Sequence, residues 1–418
     1  MNAALASTLQ PILGIACIIG LAWLSSNRRS APPLKLIATG LGLQLLLAAA
    51  FLKFPPLQEL LLWVNRAVLA VEAATQQGTT MVFGYLGGGP APFLVNAEQH
   101  RFILAFRALP LVVVFAALSA LLWHWRVIPL VVGAMARLLK RSLGLSGAVS
   151  VGAASSVFIG MVESPLLIKP YLEKMDRSEL FVLMTCGMAT VAGTVMGLYA
   201  GILAPVLPTA LSHVLVASLV SAPAAIMLAL IMVPPAQGSS AQAIPLASPY
   251  HSGMDAVVSG TGEGIRLLGN IIAMLIVFVA LVYLADAMLG LIPSASGKIT
   301  LVGSAGWLLS PLAWLLGVPW DEAQIAGELL ATKVFVNELV AYLQLTALPE
   351  GSLGERSQLI MTYALCGFAN FGSLGIMIGG LTAMCPQRRD DILQLAPRSV
   401  WSGLLSTCLT GAIVALLY

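Results

Sequence analysis

The sequence predicts an all-α polytopic membrane protein, and its composition and charge distribution support this fold class. Of the 418 residues, 59% are hydrophobic and 9% are charged, whereas roughly 25% are charged in an ordinary soluble domain. So few charges leave long uncharged stretches, which a bilayer requires and a water-exposed surface does not. The net charge of +3 is too small to favour a nucleic-acid partner. A soluble enzyme is therefore excluded.

Uncharged stretches predict eight membrane-spanning helices of about 20 residues each. Leu180–Met254 is long enough for two spans, because Pro205 and Pro208 interrupt it and its tail from Pro234 to Ser252 reads as a polar loop. Every other stretch holds one span. These stretches are Met1–Asn27, Leu36–Leu52, Ala108–Trp125, Leu267–Ala285, Ser357–Gln387 and Ser399–Tyr418.

Four basic clusters set the predicted orientation, because Lys and Arg are retained on the cytoplasmic side. Placing all four inside agrees with eight crossings and with both termini outside. No Lys or Arg precedes Arg28, so we expect the first span to be retained rather than cleaved as a signal peptide. The clusters are Arg28, Arg29 and Lys35; Arg126, Arg137, Lys140 and Arg141; Lys169, Lys174 and Arg177; and Arg388, Arg389 and Arg398.

One segment between the second and third spans is too charged to cross a membrane. Leu57–Ala74 carries Glu59, Arg66 and Glu72 among Leu and Val residues. This pattern favours an amphipathic helix lying at the membrane interface. An ordinary loop helix is the alternative.

Two further apolar segments do not fit plain spanning helices and are predicted to be re-entrant hairpins. Ser142–Leu172 is rich in small and polar residues and contains Glu163, with Pro165 two residues later. The stretch from about Thr300 to Leu345 places acidic residues and Lys333 in sequence that otherwise suits a membrane. A Pro or Gly turn at membrane depth is tolerated only where protein or water meets the freed backbone groups.

The carboxylates in these hairpins are the candidate functional groups. A charge at the bilayer centre costs about 2.5 to 3.5 kcal/mol on insertion scales, so Glu163 and Glu338 are predicted to act on a substrate or ion. A structural hydrogen bond or ion pair is the alternative, and Lys333 is a candidate partner for Glu338 or for Glu328. Three other acidic residues are explained equally well by a functional role or by a position in a water-filled entrance to the protein. These are Asp321, Glu322 and Glu328.

The spans after the two hairpins share a sequence pattern. Met188–Ile202 and Cys366–Gly380 both interrupt an apolar run with Gly, Thr, Ser or Asn. Small residues allow close helix packing. A hairpin followed by a broken helix, occurring twice with opposite entry sides, also indicates an inverted repeat with a substrate site at the midplane.

These features divide the chain into four parts. Residues 1–141 form a scaffold of three spans with the interfacial helix, and residues 142–233 form the first hairpin with spans four and five. Residues 234–297 supply a loop and a sixth, scaffold span, and residues 298–418 supply the second hairpin with spans seven and eight. The two hairpin parts together are the predicted transport core.

The chain resembles the concentrative nucleoside transporter family at four ordered, separated motifs. They are ESPLLIKPYL, GVPWDEAQIAGE, NELVAY and ALCGFANFGS. The resemblance covers nearly the whole chain from Leu24 onward. It implies cation-coupled nucleoside uptake by eight spans, an interfacial helix and two hairpins entering from opposite sides, assembled as a homotrimer.

The resemblance carries a ribose site onto the second hairpin and the broken helix after it. Glu338 matches the glutamate that binds the ribose hydroxyls, and Asn370 and Ser373 match ribose-binding residues. A carboxylate accepts and an amide both donates and accepts, so the pair suits a vicinal diol. Phe368 matches an aromatic residue beside the site.

The base-reading motif departs from the usual Gly-Gln-Thr-Glu of the family. Here it is Gly160-Met161-Val162-Glu163, so the glutamate is kept while an amide and a hydroxyl are replaced by apolar groups. Val195 occupies another base-pocket position. With Thr190 and Val191, the set resembles the purine-preferring branch, which implies a purine nucleoside bias.

The cation site departs from the family pattern as well. Its positions correspond to Ser156, Ile159, Thr190 and Val191, and a family Asn side chain is missing. Hydroxyl and carbonyl oxygens still suit Na+. Proton coupling through Glu163 or Glu338 is the competing interpretation, because a carboxylate in apolar surroundings can take up a proton near neutral pH. No organic cofactor is expected.

The composition also admits other classes of membrane protein. An intramembrane enzyme is disfavoured, because the sequence has neither HExxH nor GxSxG and its five cysteines are widely spaced. A passive channel, or a carrier for a nucleobase or another small polar metabolite, stays as the alternative. A twelve-span carrier needs more spans than the chain supplies. We expect an integral, multi-pass protein of a bacterial inner membrane.

Overall fold

The computed structural model describes residues 3–28, 33–94, 102–235, 249–292 and 298–418, and within these ranges the chain is helical, with no strand. The all-α prediction is thus confirmed for the described residues. Arg29 and most of the predicted loop Pro234–Ser252 lie outside them. The helices are α1 (Ala3–Leu24), α2 (Leu34–Lys53), α3 (Pro55–Phe83), α4 (Leu104–Arg107), α5 (Leu111–His124), α6 (Val127–Leu143), α7 (Gly147–Ile159), α8 (Glu163–Leu167), α9 (Lys169–Leu172), α10 (Arg177–Ala189), α11 (Gly193–Leu203), α12 (Ala210–Met232), α13 (Gly253–Leu289), α14 (Leu301–Leu315), α15 (Ala323–Phe335), α16 (Glu338–Ala347), α17 (Glu355–Leu365), α18 (Phe371–Met384) and α19 (Arg389–Leu417).

Several helices are long and apolar enough to span a membrane. Among the described residues six such segments occur, and four shorter apolar helices accompany them. The six are Leu34–Lys53, Leu104–His124, Arg177–Leu203, Ala210–Met232, Gly253–Leu289 and Pro386–Leu417. The shorter helices are Thr8–Leu24, Gly147–Ile159, Leu301–Leu315 and Phe371–Met384, which fall in the predicted first span, the two hairpin regions and the predicted seventh span.

The helix predicted at Leu57–Ala74 is longer than its predicted bounds. Helix α3 runs from Pro55 to Phe83, because Pro55 can occupy the first turn, where its missing N–H costs nothing, and nothing between Ala74 and Phe83 breaks the pattern. Helices α4 and α6 were not assigned from the sequence. In α6 the buried residues recur at helical spacing while Arg137 and Arg141 are exposed.

The first hairpin is built from α7, a turn at Gly160, and the short helices α8 and α9. It begins at Gly147 rather than at the predicted Ser142, because α6 continues to Leu143. The predicted fourth span is broken into α10 and α11 between Ala189 and Gly193. Helix α12 then runs unbroken.

The second hairpin repeats this order. Helices α15 and α16 form it, and the predicted range from Thr300 also contains the separate helix α14. Helix α14 lies close against α15, since a Cβ on Gly327 would fall 2.3 Å from the Gly306 carbonyl oxygen; small residues allow this approach. The predicted seventh span is broken into α17 and α18 between Leu365 and Phe371. Helix α19 then runs unbroken.

The two continuous helices meet at the centre of the core. Helices α12 and α19 are largely buried, and the hydroxyls of Ser221 and Thr410 lie 2.9 Å apart across their contact. Each continuous helix thus follows its own hairpin and broken helix. The element order, helix, hairpin, broken helix and continuous helix, is the same in residues 127–232 and 301–417.

Basic residues from distant parts of the chain meet at one end of the molecule. Arg177 lies 2.8 Å from Asp391, and Arg388 forms a second ion pair with the same carboxylate. Arg398 donates to the Asn27 side chain at 2.5 Å. Residues flanking the first, fourth and eighth predicted spans therefore share one end, as the predicted cytoplasmic clustering requires.

Candidate functional site

A cavity of about 390 Å³ lies between the two hairpin tips and the breaks in the two interrupted helices. This volume is within the range of sites that enclose small molecules. Every residue predicted to bind substrate lines it, namely Gly160, Met161, Val162, Glu163, Val195, Glu338, Phe368, Asn370 and Ser373. The structure therefore brings together residues up to 213 positions apart in sequence.

Glu338 is buried in the cavity wall and held by hydrogen bonds to both of its carboxylate oxygens. It occupies the first turn of α16 and is 4% exposed. One carboxylate oxygen accepts a hydrogen bond from the Tyr199 hydroxyl at 2.5 Å, and the other accepts from the Asn370 amide at 2.8 Å. Such charge-assisted bonds are stronger than neutral ones. They fix the direction in which the remaining lone pairs of Glu338 face the cavity.

Asn370 is positioned by its role as a helix cap. Its side-chain oxygen accepts from the Ser373 N–H at 2.6 Å, which closes the first turn of α18. Because the oxygen is committed to this cap, the amide nitrogen points to Glu338. Asn337 caps α16 in the same way through the Val340 N–H. Two Asn caps thus set the start of both helices that carry the residues predicted to bind ribose.

The first hairpin tip depends on a glycine. Gly160 has φ +98°, a conformation that L side chains rarely adopt. A Cβ at this position would also lie 2.7 Å from Glu163 Oε2. Glu163 itself is exposed along the cavity. No side chain in the described ranges donates a hydrogen bond to it, which distinguishes it from Glu338.

The wall beside Glu163 is apolar and closely packed. Met161 and Val195 are buried, and Val162 is partly buried. A Cβ on Gly187 would lie 2.8 Å from Met161 Cβ, and a Cβ on Gly380 would lie 3.0 Å from Val162 Cγ1. The hairpin tip therefore packs directly against Gly187 of α10 and Gly380 of α18, one from each repeat.

One face of α13 completes the cavity, and the sequence analysis gave this helix no part in the site. Glu263, Arg266 and Asn270 line the wall together with apolar residues of the same helix. The helix begins at Gly253, well before the predicted start at Leu267, because the two charges ended the uncharged run. The spacing of 263, 266, 270 and 274 follows one helical face and is the signal that would have found them.

Tyr199 is the second group that sequence reasoning missed. It is buried in α11, and its ring centroid lies 5.3 Å from that of Tyr342. A buried Tyr in an apolar span reads as packing until its hydroxyl partner is known. Nothing in the sequence pairs position 199 with position 338.

The positions proposed for a cation converge where α7 ends against the break between α10 and α11. The Thr190 hydroxyl lies 2.8 Å from the Cys186 carbonyl oxygen of its own helix and 3.2 Å from the Ser156 carbonyl oxygen of α7, and the Val191 N–H donates to the Ser218 hydroxyl at 3.0 Å. Ile159 is the last residue of α7. Two helix C-termini meet here, their last carbonyls lack partners within the helix, and such neutral oxygen donors suit a hard monovalent cation.

The remaining hairpin charges are not in the cavity wall. Glu322 accepts from the Gly354 N–H at 3.1 Å, and Glu328 accepts from Gln324 at 2.8 Å. Asp321 is exposed. The Lys333 ammonium donates to the Ala364 carbonyl and to Thr407 rather than to either glutamate suggested for it.

Comparison with known families gives matches along most of the chain. The description "Na+ dependent nucleoside transporter" matches through its N-terminal part at residues 13–86 and its C-terminal part at residues 213–415. A further match, described as "Nucleoside recognition", covers residues 105–206. These segments include both hairpin tips and both helix breaks.

Individual relatives agree with the family match. A nucleoside permease of Helicobacter pylori is 34% identical over 98% of both chains, and sodium/nucleoside cotransporter 1 of mouse is 31% identical over 97% of this chain and 63% of its own. The solved structure of CNTnw in an inward-facing substrate-bound state has a TM-score of 0.87 at 34% identity, covering 98% of each chain. A substituted form of CNTnw in an outward-facing state gives 0.88.

The apolar helices and these relatives make the chain a multi-pass integral membrane protein, and the bacterial relatives indicate the inner membrane. Its family is a family of transporters, not of enzymes. The chain belongs to the Na+-dependent, concentrative nucleoside transporter family.

Proposed function

We propose that this chain imports purine nucleosides together with Na+ by alternating access. The observation that carries the proposal is the Glu338 carboxylate, buried in the cavity wall and held from both sides by Tyr199 and Asn370. A buried charge with fixed orientation is costly, and its default explanation inside a membrane is function.

The ribose is held by Glu338, Asn370 and Ser373. The two fixed oxygens of Glu338 accept from the 2′- and 3′-hydroxyls, and the amide of Asn370 supplies a donor beside them. A site built in this way rejects sugars without the partnered hydroxyl, because its own buried groups are then left unpaired. Phe368 provides an aromatic surface next to the sugar.

The base lies against the first hairpin tip. Met161, Val162 and Val195 offer an apolar wall of the kind that suits a two-ring base. Glu163, with no side-chain donor among its described neighbours, is available to accept from an exocyclic amino or ring N–H group of the base. This combination supports purine over pyrimidine nucleosides.

The cation is held by oxygen atoms around Ser156, Ile159, Thr190 and Val191. This region lies between α7 of the first hairpin and the break between α10 and α11. Because α11 also lines the cavity, cation binding should change the shape of the cavity. The hairpin-bearing core then moves against a scaffold of the other spans. Proton coupling through Glu163 is the alternative that the ion experiment below decides.

Counterflow and uptake in proteoliposomes test the function. Labelled adenosine should accumulate above its external concentration when a Na+ gradient is imposed, and unaffected uptake after replacing Na+ with choline would overturn Na+ coupling. Uptake that collapses with a protonophore under those conditions would establish the proton alternative. Equilibration without accumulation under either gradient would show a passive channel.

Competition against labelled adenosine tests the base preference. Inosine and guanosine should inhibit uptake more strongly than uridine at equal concentration. Equal or better inhibition by uridine would refute the purine preference and leave nucleoside transport intact. Free adenine should compete weakly, because it lacks the ribose that Glu338 binds.

We also propose that the chain works as a homotrimer, as the family resemblance implies. The apolar α13 supports this, since none of its most apolar stretch is buried within one chain. Mass measurement of the detergent-solubilised protein tests the proposal, and a monomeric mass in mild detergent would contradict it.

A further inference from the structure

Lys333 is a buried cation that the proposed transport cycle does not use. Among the described residues, Lys333 and Glu338 are the only charged side chains that are buried, and Lys333 is 0% exposed. Its ammonium donates to the Ala364 carbonyl at 2.8 Å and to the Thr407 hydroxyl at 2.7 Å. Both acceptors are neutral. Burying an ammonium costs several kcal/mol, so its position calls for an explanation.

The pairing of the two continuous helices relates Lys333 to the other repeat. Helices α12 and α19 each end their repeat, and Ser221 and Thr410 lie 2.9 Å apart across the contact between them, so we align the two repeats at this pair. Three residues earlier on each helix stand Ser218 and Thr407. Ser218 accepts from the Val191 N–H at the break after α10. Thr407 accepts from Lys333 beside the break after α17.

The other walls of the two places also correspond. Helices α7 and α15 each have 13 residues and each end at a hairpin tip. Helices α10 and α17 each end at a break in an interrupted span, where their last carbonyls lack partners within the helix. In the second repeat the Ala364 carbonyl, in the last turn of α17, is bound by Lys333. In the first repeat the same kind of place is lined by the cation residues Ser156 and Thr190.

We propose that the Lys333 ammonium is the built-in cation of the second repeat, standing where the coupling cation stands in the first. The proposal rests on the proposed function for the identity of the first cation. An ammonium is favourable at the negative end of a helix dipole, as Na+ would be. The second hairpin is therefore permanently fastened to the break after α17, whereas the first is fastened only when its cation is bound.

This fastening makes Lys333 a positioning residue for the ribose site. Lys333 lies five residues before Glu338, and Ala364 lies six residues before Asn370. Joining Lys333 to Ala364 therefore sets the register in which the Glu338 carboxylate meets the Asn370 amide. Its loss should affect the recognition of ribose hydroxyls more than the recognition of the base.

The test measures adenosine and 3′-deoxyadenosine binding to the purified full-length chain, without an ion gradient. Lys333→Met fills the same space without a charge and should weaken adenosine binding at least tenfold. It should also lower the adenosine preference over 3′-deoxyadenosine at least threefold. A merely loosened fold would weaken both ligands and leave that preference unchanged. Wild-type affinity and preference in Lys333→Met, or weakening without a change of preference, would overturn the proposal.

Chemical rescue supplies the second measurement. Lys333→Ala leaves space for a small cation, so n-propylammonium should restore adenosine binding at least fivefold, while tetramethylammonium, which has no N–H, should not. Failure of n-propylammonium to restore a monodisperse variant would overturn the proposal. If Lys333→Ala does not fold, the preference measured in Lys333→Met decides. A wild-type chain that binds no nucleoside would instead refute the proposed function.

Discussion

At the second hairpin tip, Glu338 is 4% exposed and both of its oxygens accept hydrogen bonds from side chains of other helices. At the first tip, Glu163 is exposed along the same cavity and receives no such bond from the described residues. Both carboxylates lie at a hairpin tip, but only that of Glu338 is held in place by side chains of other helices. Under the proposed function, the Glu338 half of the cavity is therefore organised before substrate arrives, whereas the Glu163 carboxylate gains its partner from the substrate.

This contrast matches what each half has to recognise. Every nucleoside of one sugar class presents the same ribose diol, so a fixed pair such as Glu338 and Asn370 loses nothing by being rigid. Bases differ in size and in donor pattern, so an apolar wall of Met161 and Val162 with one free carboxylate tolerates variation. Specificity for the sugar should therefore be sharper than specificity for the base.

The largest expected effect comes from removing the negative charge of Glu338. Glu338→Gln keeps the shape but removes the charge, and turning its new NH₂ to the Tyr199 hydroxyl, so that its oxygen keeps the bond from Asn370, leaves one acceptor where the ribose diol would meet two. Hydrogen bonds to charged groups contribute about 1.5 to 3 kcal/mol each, so uptake efficiency should fall roughly 100-fold or more. Uptake of labelled adenosine in proteoliposomes measures this.

Glu328→Gln is the matched control, because it changes the same residue type in the same hairpin away from the cavity. It should transport like the wild type. Normal uptake by a membrane-inserted Glu338→Gln would refute the ribose role and with it the contrast between the two tips.

A smaller effect should follow when Glu338 is kept but one of its supports is removed. Tyr199→Phe deletes the 2.5 Å hydrogen bond and leaves the ring packed on Tyr342. We expect about tenfold weaker nucleoside binding, corresponding to about 1.4 kcal/mol. Tyr171→Phe, on α9 outside the cavity, controls for loss of a hydroxyl. Unchanged affinity in Tyr199→Phe would show that Glu338 does not depend on prior orientation.

The first hairpin tip requires a glycine at position 160. Gly160→Ala introduces a Cβ at φ +98° and places it 2.7 Å from Glu163 Oε2. The backbone of Gly160, φ +98° with ψ 173°, is a conformation that only glycine adopts readily, so strain of about 1 to 3 kcal/mol should displace the tip and lower uptake about fivefold or more. Gly144→Ala is the control for a glycine of positive φ outside the cavity, because Gly144 lies in the left-handed helical region, φ +69° with ψ 28°, and nothing is within 4 Å of its Cβ. It should lower uptake less than Gly160→Ala does, since a Cβ is tolerated better in that region. Equal losses in both variants would argue against a special role for the Gly160 contact.

The smallest effect concerns the base wall. Met161→Gln adds hydrogen-bonding capacity where the chain has a thioether, and it should raise inhibition by uridine relative to inosine about threefold to tenfold, equivalent to roughly 0.5 to 1.5 kcal/mol. Met161→Leu keeps the wall apolar and should leave the ranking unchanged. If Met161→Gln leaves inhibition by uridine relative to inosine unchanged, the base binds elsewhere in the cavity.

Glu163 and Glu338 could be predicted from the sequence because carboxylates are rare in apolar segments, and the other predicted cavity residues were assigned through the family resemblance. Tyr199 could not be predicted, since its role depends on a contact across 139 positions. Glu263 and Arg266 were excluded from the sixth span because they are charged, and only the continuous helix α13 shows that they face the cavity. The role of Lys333 was missed for a third reason. Its partners are a backbone carbonyl and a hydroxyl, which no charge pattern reveals.

A structure of the chain with adenosine bound tests the central claim most directly. The account predicts the ribose 2′- and 3′-hydroxyl oxygens within about 2.6 to 3.2 Å of the Glu338 carboxylate, with Asn370 beside them and the base against Met161 and Val162. A ribose bound at Glu163, with the base between Glu338 and Asn370, would contradict it.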